Sequence, residues 1–151
     1  MVANFQPIYS RTWDIQVAGS IIGVTANTLN DGTQSTGCTQ VYQADATEGG
    51  FVQKIILKPV ATTAATVARV FYCANTVGTF VAGTTNTQGN TTLISEVGIT
   101  SWTLSQTTAS PQYEIPINIG LPASTRLLMT FGTSTGAANN GFSVTTVGGK
   151  Y

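Results

Sequence analysis

The sequence predicts an all-β fold: an antiparallel β-sandwich of about eight strands, jelly-roll-like, with an extended N-terminal arm. Three observations support this prediction. Apolar and polar residues alternate with a period of two over short segments, as they do in half-buried strands. Turn signals made of glycine, asparagine and aspartate separate those segments. Helical periodicity is nearly absent from the chain.

Some segments carry the alternation clearly and others carry it weakly. The clear segments are 51–58, 67–73, 93–97, 113–117, 126–131 and 142–145, and the weaker ones are 21–26, 38–44 and 101–107. Pro116 interrupts one of them and predicts an edge strand, because proline cannot donate to a ladder. Asn139-Asn140-Gly141 predicts a tight hairpin. The segment 74–92, rich in Gly, Thr and Asn, predicts a long hairpin or an exposed loop.

The chain is expected to divide into an N-terminal arm with its lead-in, residues 1–36, and a β-sandwich domain, residues 37–151. The first part carries large apolar side chains without sustained alternation. Such a segment can gain order by packing on another molecule. The expected contacts with neighbouring subunits are therefore Phe5, Ile8, Tyr9 and Trp13. The alternative is a first strand with an irregular lead-in, packed on its own domain.

Charge is scarce in this sequence. Only 8% of the residues are charged, the formal net charge is zero, and no histidine occurs. Hydrophobic residues make up 42% of the chain, and its mean hydropathy is +0.16. Monomeric proteins normally keep a net charge for solubility, so we expect other subunits to cover much of this surface. The alternative is a surface of Thr, Asn and Ser that is merely uncharged.

The same composition bears on partners and location. Without a basic stripe, the chain lacks the electrostatic attraction that nucleic-acid binding needs. No run approaches the roughly 18 uninterrupted apolar residues of a transmembrane helix, so no membrane partner is expected. The N-terminus lacks the basic and apolar regions of a signal peptide. We therefore expect synthesis in the cytoplasm of a host, without secretion.

The residue types of common active sites are missing or dispersed. Without histidine, Ser-His-Asp and Cys-His systems are excluded. Asp45 and Glu48 are the closest carboxylates in sequence, but they lie beside a Gly-Gly turn and are expected to be solvated. Asp31, in an Asn-Asp-Gly turn, has no further carboxylates nearby in sequence to bind calcium. The sequence thus predicts no enzyme, no catalytic residue, no metal and no cofactor.

Two cysteines and two tryptophans complete the residues of interest. Cys38 and Cys73 lack metal-type spacing and lie in alternating apolar runs, which predicts buried free thiols. A disulfide between them is the alternative. Trp102 shares a strand face with Leu104 and is expected in the core. Trp13 is the better candidate for an anchor between subunits.

Two blocks of the sequence resemble a known group of proteins. The first comprises VQKI at 52–55 and TVARVF at 66–71, and the second comprises PQYEIPINIGLPA at 111–123, LLMTFGT at 127–133 and VTTVGGKY at 144–151. Together they cover somewhat under half of the chain. They resemble small structural proteins of tailed bacteriophages, similar to the jelly-roll cement or decoration proteins of phage heads. The segment 73–89 departs from that pattern, because it is longer than the short turn expected there.

The resemblance implies an oligomer, typically a homotrimer, on the outer face of the capsid in a virion. It implies the major capsid protein as partner, with neighbouring capsid subunits clamped against the pressure of packaged DNA. No catalytic residue carries over from the group. Such a role needs a rigid fold and many modest contacts rather than titrating groups, which agrees with the charge-poor composition.

Two other functions stay open at this stage. One is a tail- or fibre-associated module that binds a host receptor or glycan, with Trp102 and Tyr72 exposed on a loop or sheet face. The other is a small glycan hydrolase, whose activity would depend on Asp45 and Glu48. Copy number separates head decoration from the tail or fibre role, because a head protein is present in hundreds of copies and a tail-tip protein in a handful.

Overall fold

A computed structural model of the chain describes residues 11–33, 35–136 and 140–151. These residues form eight strands in two four-stranded antiparallel sheets. The strands are β1 Thr12–Ile22, β2 Cys38–Gln43, β3 Gly50–Pro59, β4 Thr66–Cys73, β5 Thr91–Ile99, β6 Tyr113–Leu121, β7 Arg126–Phe131 and β8 Phe142–Lys150. Sheet A has the strand order β1-β8-β3-β6, and sheet B has the order β2-β7-β4-β5.

Each strand pairs with the strand that mirrors it in chain order. β1 pairs with β8, β2 with β7, β3 with β6, and β4 with β5. The chain therefore folds as one long hairpin, centred on the β4–β5 connection and rolled so that successive pairs alternate between the two sheets. This is the jelly-roll arrangement. The predicted all-β antiparallel sandwich is confirmed.

The core lies between the sheets and consists of the alternate residues that face inward. On the pair β3–β6, Val52, Ile55, Ile115 and Leu121 are each at most 2% exposed. A bulge between Val52 and Lys54 turns both Val52 and Ile55 inward, although they are three residues apart. Burying each such side chain stabilises the fold by about 1.5–3 kcal/mol relative to leaving it exposed.

Two further predictions from the sequence are confirmed. β6 is an edge strand of sheet A, as Pro116 predicted. Cys38 and Cys73 are both buried and free. Burial, with a smaller contribution from Cys73, raises the pKa of the Cys38 thiol to about 12.

Three local predictions are wrong. Segment 101–107 is not a strand, and only Trp102 within it pairs, in an isolated bridge to Thr63. That segment connects β5 in sheet B to β6 in sheet A. The weak strand at 21–26 ends at Ile22, because Gly23 has a φ of 89° and turns the chain. No tight hairpin joins β7 to β8, because these strands lie in different sheets.

β1 begins at Thr12, within the predicted N-terminal arm, and pairs with β8. Residues 12–22 thus form a first strand packed on its own domain, which is the alternative that the sequence left open. Phe5, Ile8 and Tyr9 lie outside the described residues. The division of the chain at residue 36 stays a prediction.

Candidate functional site

The outer side of β1 carries a row of exposed apolar side chains. Trp13, Ile15 and Val17 are 78%, 61% and 66% exposed. They alternate with Asp14 and Gln16, so all three lie on the same face of sheet A, directed away from the core. We call Trp13, Ile15 and Val17 the β1 stripe.

Gln16 fixes the direction in which the β1 stripe faces. Its side chain bonds both backbone groups of Gln43 on β2: Nε2 donates to the Gln43 carbonyl at 2.8 Å, and the Gln43 N–H donates to Oε1 at 2.9 Å. Nε2 also donates to the Asp14 carboxylate at 2.9 Å. A one-residue slip of β1 would break these bonds and exchange its two faces. The β1 stripe is therefore held outward by hydrogen bonds that close the side of the sandwich.

The neighbouring strands extend this apolar surface. On β8, Val147 stands opposite Ile15, and Gly149 stands opposite Trp13 and, on its other side, Phe51 of β3. Trp13 and Phe51, together with Gln53 and Gly148, line a cleft of about 210 Å³.

Gly148 is required at this position of the sheet. A Cβ atom there would lie 2.2 Å from the Phe51 carbonyl oxygen, which is backbone and cannot give way cheaply. The close approach of β8 to β3 at Gly148 therefore sets the position of Phe51 beside Trp13.

Charged groups lie beside the apolar surface and are paired with one another. Lys54 Nζ is 2.9 Å from the Glu114 carboxylate, at the β6 side of sheet A. This hydrogen bond, followed by that from Gln112, lowers the pKa of Glu114. At the N-terminal end of β1, Arg11 pairs with Glu48, and Lys150 Nζ lies 3.7 Å from the Asp45 carboxylate. The outer face of sheet A thus has an apolar part bordered by ion pairs.

A second cleft, of about 600 Å³, lies at one end of the sandwich beside Arg69. It is lined by Ala65, Thr66, Val67, Arg69, Gly98, Ile99, Thr100, Gly132 and Thr133. The Arg69 guanidinium donates to the Asn27 carbonyl at 3.3 Å and lies 3.6 Å from the Glu96 carboxylate. Because Glu96 already neutralises this arginine, the cleft does not present a free cation to an anionic ligand.

The two carboxylates considered for catalysis hold a turn together. The Asp45 carboxylate accepts hydrogen bonds from the backbone N–H groups of Thr47 and Glu48, which lower its pKa. The Glu48 carboxylate is engaged by Arg11. A general acid needs a raised pKa instead. Asp31 similarly accepts hydrogen bonds from Thr33 within its turn.

The remaining candidates from the sequence are dispersed over the molecule. Trp102 is half-buried and Leu104 is 50% exposed, so the expectation that Trp102 packs in the core is wrong. Tyr72 is half-buried against the core rather than presented on an outer face. Trp13 is exposed on β1, where an interface anchor can act. Phe5, Ile8 and Tyr9 lie outside the described residues.

Sequence reasoning singled out Trp13 but missed Ile15 and Val17. A signal was present: Trp13-Asp14-Ile15-Gln16-Val17 alternates over five residues. Gly19 and the register shifts after Val17 interrupt that alternation, so the segment resembles an irregular arm more than a strand.

Within the described ranges, no group of three or more Cys, Asp or Glu residues is placed to hold a metal ion. The same part of the chain contains no helix long and apolar enough to cross a membrane.

Comparisons with known proteins add little. No protein-family model matches the chain, and no curated protein does. Among solved structures, it is similar to a chain of the T13 IBDV viral particle, with 13% identity and a TM-score of 0.40. That match covers 99% of this chain and 35% of the viral chain, so this chain spans about a third of its length. This degree of similarity is too low to transfer a function or a site.

Proposed function

We propose that this chain is a structural virion protein without catalytic activity, which decorates the outer face of a tailed-phage head. It binds the major capsid protein through the outer face of sheet A and stabilises contacts between capsid subunits. The observation that carries the proposal is the β1 stripe, a row of exposed apolar residues on the outer face of sheet A. The resemblance of segments 52–71 and 111–151 to phage decoration proteins supports the same role.

The exposed apolar area is large enough to contribute strongly to binding. An aromatic side chain buries about 150–250 Å². With 78% of Trp13 exposed, covering it contributes roughly 4 kcal/mol at about 25 cal/mol per Å², before the entropy of association is subtracted. Tryptophan is also the residue type most enriched among those that dominate binding energies.

The arrangement of charges suits attachment to another protein surface. The ion pairs Lys54–Glu114 and Arg11–Glu48 border the apolar area instead of lying in its centre. A partner that covers the β1 stripe does not have to desolvate a charge there. An apolar centre with a polar rim is the usual anatomy of a protein interface.

Rigidity supports the same role. Gln16 holds β1 against β2 before any partner arrives, so binding loses little conformational entropy at this strand. A single attachment of this size is modest. Many copies on a repeating shell act together, and a shell held at many points resists expansion.

Copy number per particle tests the proposal. We expect quantitative mass spectrometry of particles purified from the source phage to find hundreds of copies, all released with the head fraction. A handful of copies, found in the tail fraction, would overturn it.

A pair of matched variants tests the attachment surface. Heads stripped of the protein are incubated with chains carrying Phe51→Ser, on the outer face of sheet A, or Val81→Ser, on a loop beside sheet B. We expect Phe51→Ser to lower occupancy at least about ten-fold, a loss of about 1.4 kcal/mol. Val81→Ser should bind like the unaltered chain. Equal binding by both variants would show that the outer face of sheet A does not attach the protein to heads.

A second candidate, a glycan-binding module of the tail or fibre, is favoured by one observation: the cleft between Trp13 and Phe51, with the Gln53 amide beside it. An aromatic side chain and an amide are suited to stack on and bond a sugar ring. We expect no signal when the chain is applied to a glycan array. A signal lost on Trp13→Ser would favour this candidate over head decoration.

A further inference from the structure

The edge of β1 differs from the other three sheet edges of the described fold. β1 pairs with β8 without a register shift from Thr12 to Val17, and its two shifts, between Val17 and Gly19 and between Gly19 and Ile22, come after that stretch. The other edge strands have shorter regular stretches, because β2 is shifted between Gln40 and Tyr42, β5 between Leu93 and Ser95, and β6 near Asn118. Interruptions of this kind are how proteins prevent edge-to-edge pairing. Within the described residues, no strand pairs with the outer edge of these six regular residues of β1.

The sequence of this regular stretch is symmetrical about Ile15. Trp13-Asp14-Ile15-Gln16-Val17 reads apolar, polar, apolar, polar, apolar in both directions. In an antiparallel pair of two copies with Ile15 opposite Ile15, Trp13 stands opposite Val17 on one face, and Asp14 stands opposite Gln16 on the other. Cross-strand pairs of an aromatic with a β-branched residue are stabilising, and this register places no like charges opposite each other.

Neighbouring registers are worse for identifiable reasons. Centring the pair on Asp14 places two carboxylates directly opposite each other, which is destabilising. Centring it on Gln16 brings Asp14 opposite Ala18, where the regular register of β1 ends. Any slip by one residue also puts the β1 stripes of the two copies on opposite faces. The register centred on Ile15 is therefore the one that β1 favours.

We propose that two copies of this chain associate through β1, antiparallel and with Ile15 on the two-fold axis. The association joins the two A sheets into one eight-stranded sheet and brings the two β1 stripes together on its outer face. It goes beyond the proposed function, since it concerns the free chain. A dimer with its two-fold axis at β1 is a different oligomer from the homotrimer that the resemblance implies.

Two kinds of contact join the copies. The six-residue backbone edges of β1 hydrogen-bond to each other, and Trp13 of each copy contacts Val17 of the other. Interfaces that pair a patch with itself across a two-fold axis are the commonest in soluble oligomers.

Cysteine cross-linking of the full chain tests both the partner and the register. The residue on the axis faces its own copy, so Ile15→Cys alone should form a disulfide-linked dimer under mild oxidation, since facing strand positions lie within disulfide reach. Trp13→Cys and Val17→Cys should not link alone but should link to each other when mixed. The native thiols at Cys38 and Cys73 are buried and give a low background.

The second test measures the mass of the chain without cross-linking. Sedimentation of the unaltered chain should give twice 15.7 kDa at high concentration. Ile15→Lys, which places like charges on the axis, should weaken the dimer at least about ten-fold, whereas Val77→Lys on a distant exposed loop should not. A monomer at every concentration, a trimer, or a dimer that Ile15→Cys fails to link would overturn the proposal. If a monomeric chain binds heads, the dimer proposal fails and the proposed function stands. If a dimeric chain does not bind heads, the proposed function fails and the dimer proposal stands.

Discussion

The outer faces of the two sheets differ in whether the chain's own loops cover their apolar residues. The outer face of sheet B is covered by the chain's own loops, and a second apolar cluster is buried there: Cys38, Phe71, Cys73 and Leu128, with Phe80, Ala82 and Leu93 packed against it. The outer face of sheet A has no such cover within the described residues and exposes the β1 stripe. In the part of the chain that the structure describes, loops thus cover the apolar outer face of sheet B, whereas the apolar stripe on sheet A is exposed.

The cover over sheet B depends on a buried arginine. Arg126 on β7 is fully buried, and its guanidinium donates to the carbonyls of Asn75, Val77 and Gly78. Burying a charge without a carboxylate partner costs free energy unless hydrogen bonds compensate for lost water. Arg126 thereby fixes a loop that leaves sheet B closed. On sheet A, the corresponding hydrogen bonds of Gln16 fix a strand and leave the face open.

The largest expected effect is at the centre of the covered cluster. Phe71→Ala should lower the free energy of unfolding by about 3–5 kcal/mol, because it removes a fully buried aromatic side chain and leaves a cavity. Chemical denaturation at neutral pH measures the change. A loss below about 1 kcal/mol would mean that the cluster over sheet B is not a second core.

Removing the arginine beneath the cover should have the next largest effect. Arg126→Leu should cost about 2–3 kcal/mol, since it leaves carbonyl groups of the covering loop without donors. The same variant should let thiol reagents reach Cys73 faster, because that loop also covers Cys73. Unchanged stability together with unchanged labelling would show that the loop holds its position without Arg126.

A substitution on the exposed outer face of sheet A should affect stability less than one in the cluster over sheet B. Trp13→Ser should change the stability of the monomer by less than about 1 kcal/mol, because the side chain is largely exposed already. The change should instead increase solubility, since the largest exposed apolar group is removed. Turbidity at rising salt concentration checks the second effect. A stability loss comparable to that of Phe71→Ala would contradict the contrast between the two faces.

The smallest expected effect is pH-dependent and lies in the cover of sheet B. Hydrogen bonds from Gln88 and then from Thr33 lower the pKa of Asp31 below its usual value of 3.8. The ionised form is therefore favoured in the folded state. Its contribution is present above pH 3.8 and is lost as the pH falls through the lowered pKa. The Tm advantage of the unaltered chain over Asp31→Asn should accordingly shrink on acidification. An advantage independent of pH would contradict this.

The sequence predicts the position of a strand best where one face of the strand is exposed to solvent and the other is buried. β3 and β4 were located within two residues because their apolar residues alternate. β7 shows where this information ends: Arg126 and Thr130 alternate with apolar residues as if exposed, but all six residues of β7 are buried. Loops distant in sequence cover that side, and a local pattern contains no information about them. Segment 101–107 failed for a related reason: it crosses from β5 in sheet B to β6 in sheet A, and a local pattern does not show where the chain changes sheets.

The candidate site was predictable only in part. Trp13 was identified as a candidate interface anchor because of its size and its place in the predicted N-terminal arm. Its context was missed, because β1 is a strand whose alternation stops at the bulge after Val17. The contrast between the two outer faces could not be predicted, since it depends on which loops return over which sheet.

The central claim is that the bare face of sheet A is where the protein meets the virus particle. Hydroxyl-radical footprinting of the chain, free and bound to heads, tests it most directly. We predict that Trp13 and Phe51 become protected on binding, relative to the free chain at a concentration where it is already associated, while Val77 keeps its reactivity. Protection of Val77 with Trp13 and Phe51 unchanged would contradict the account.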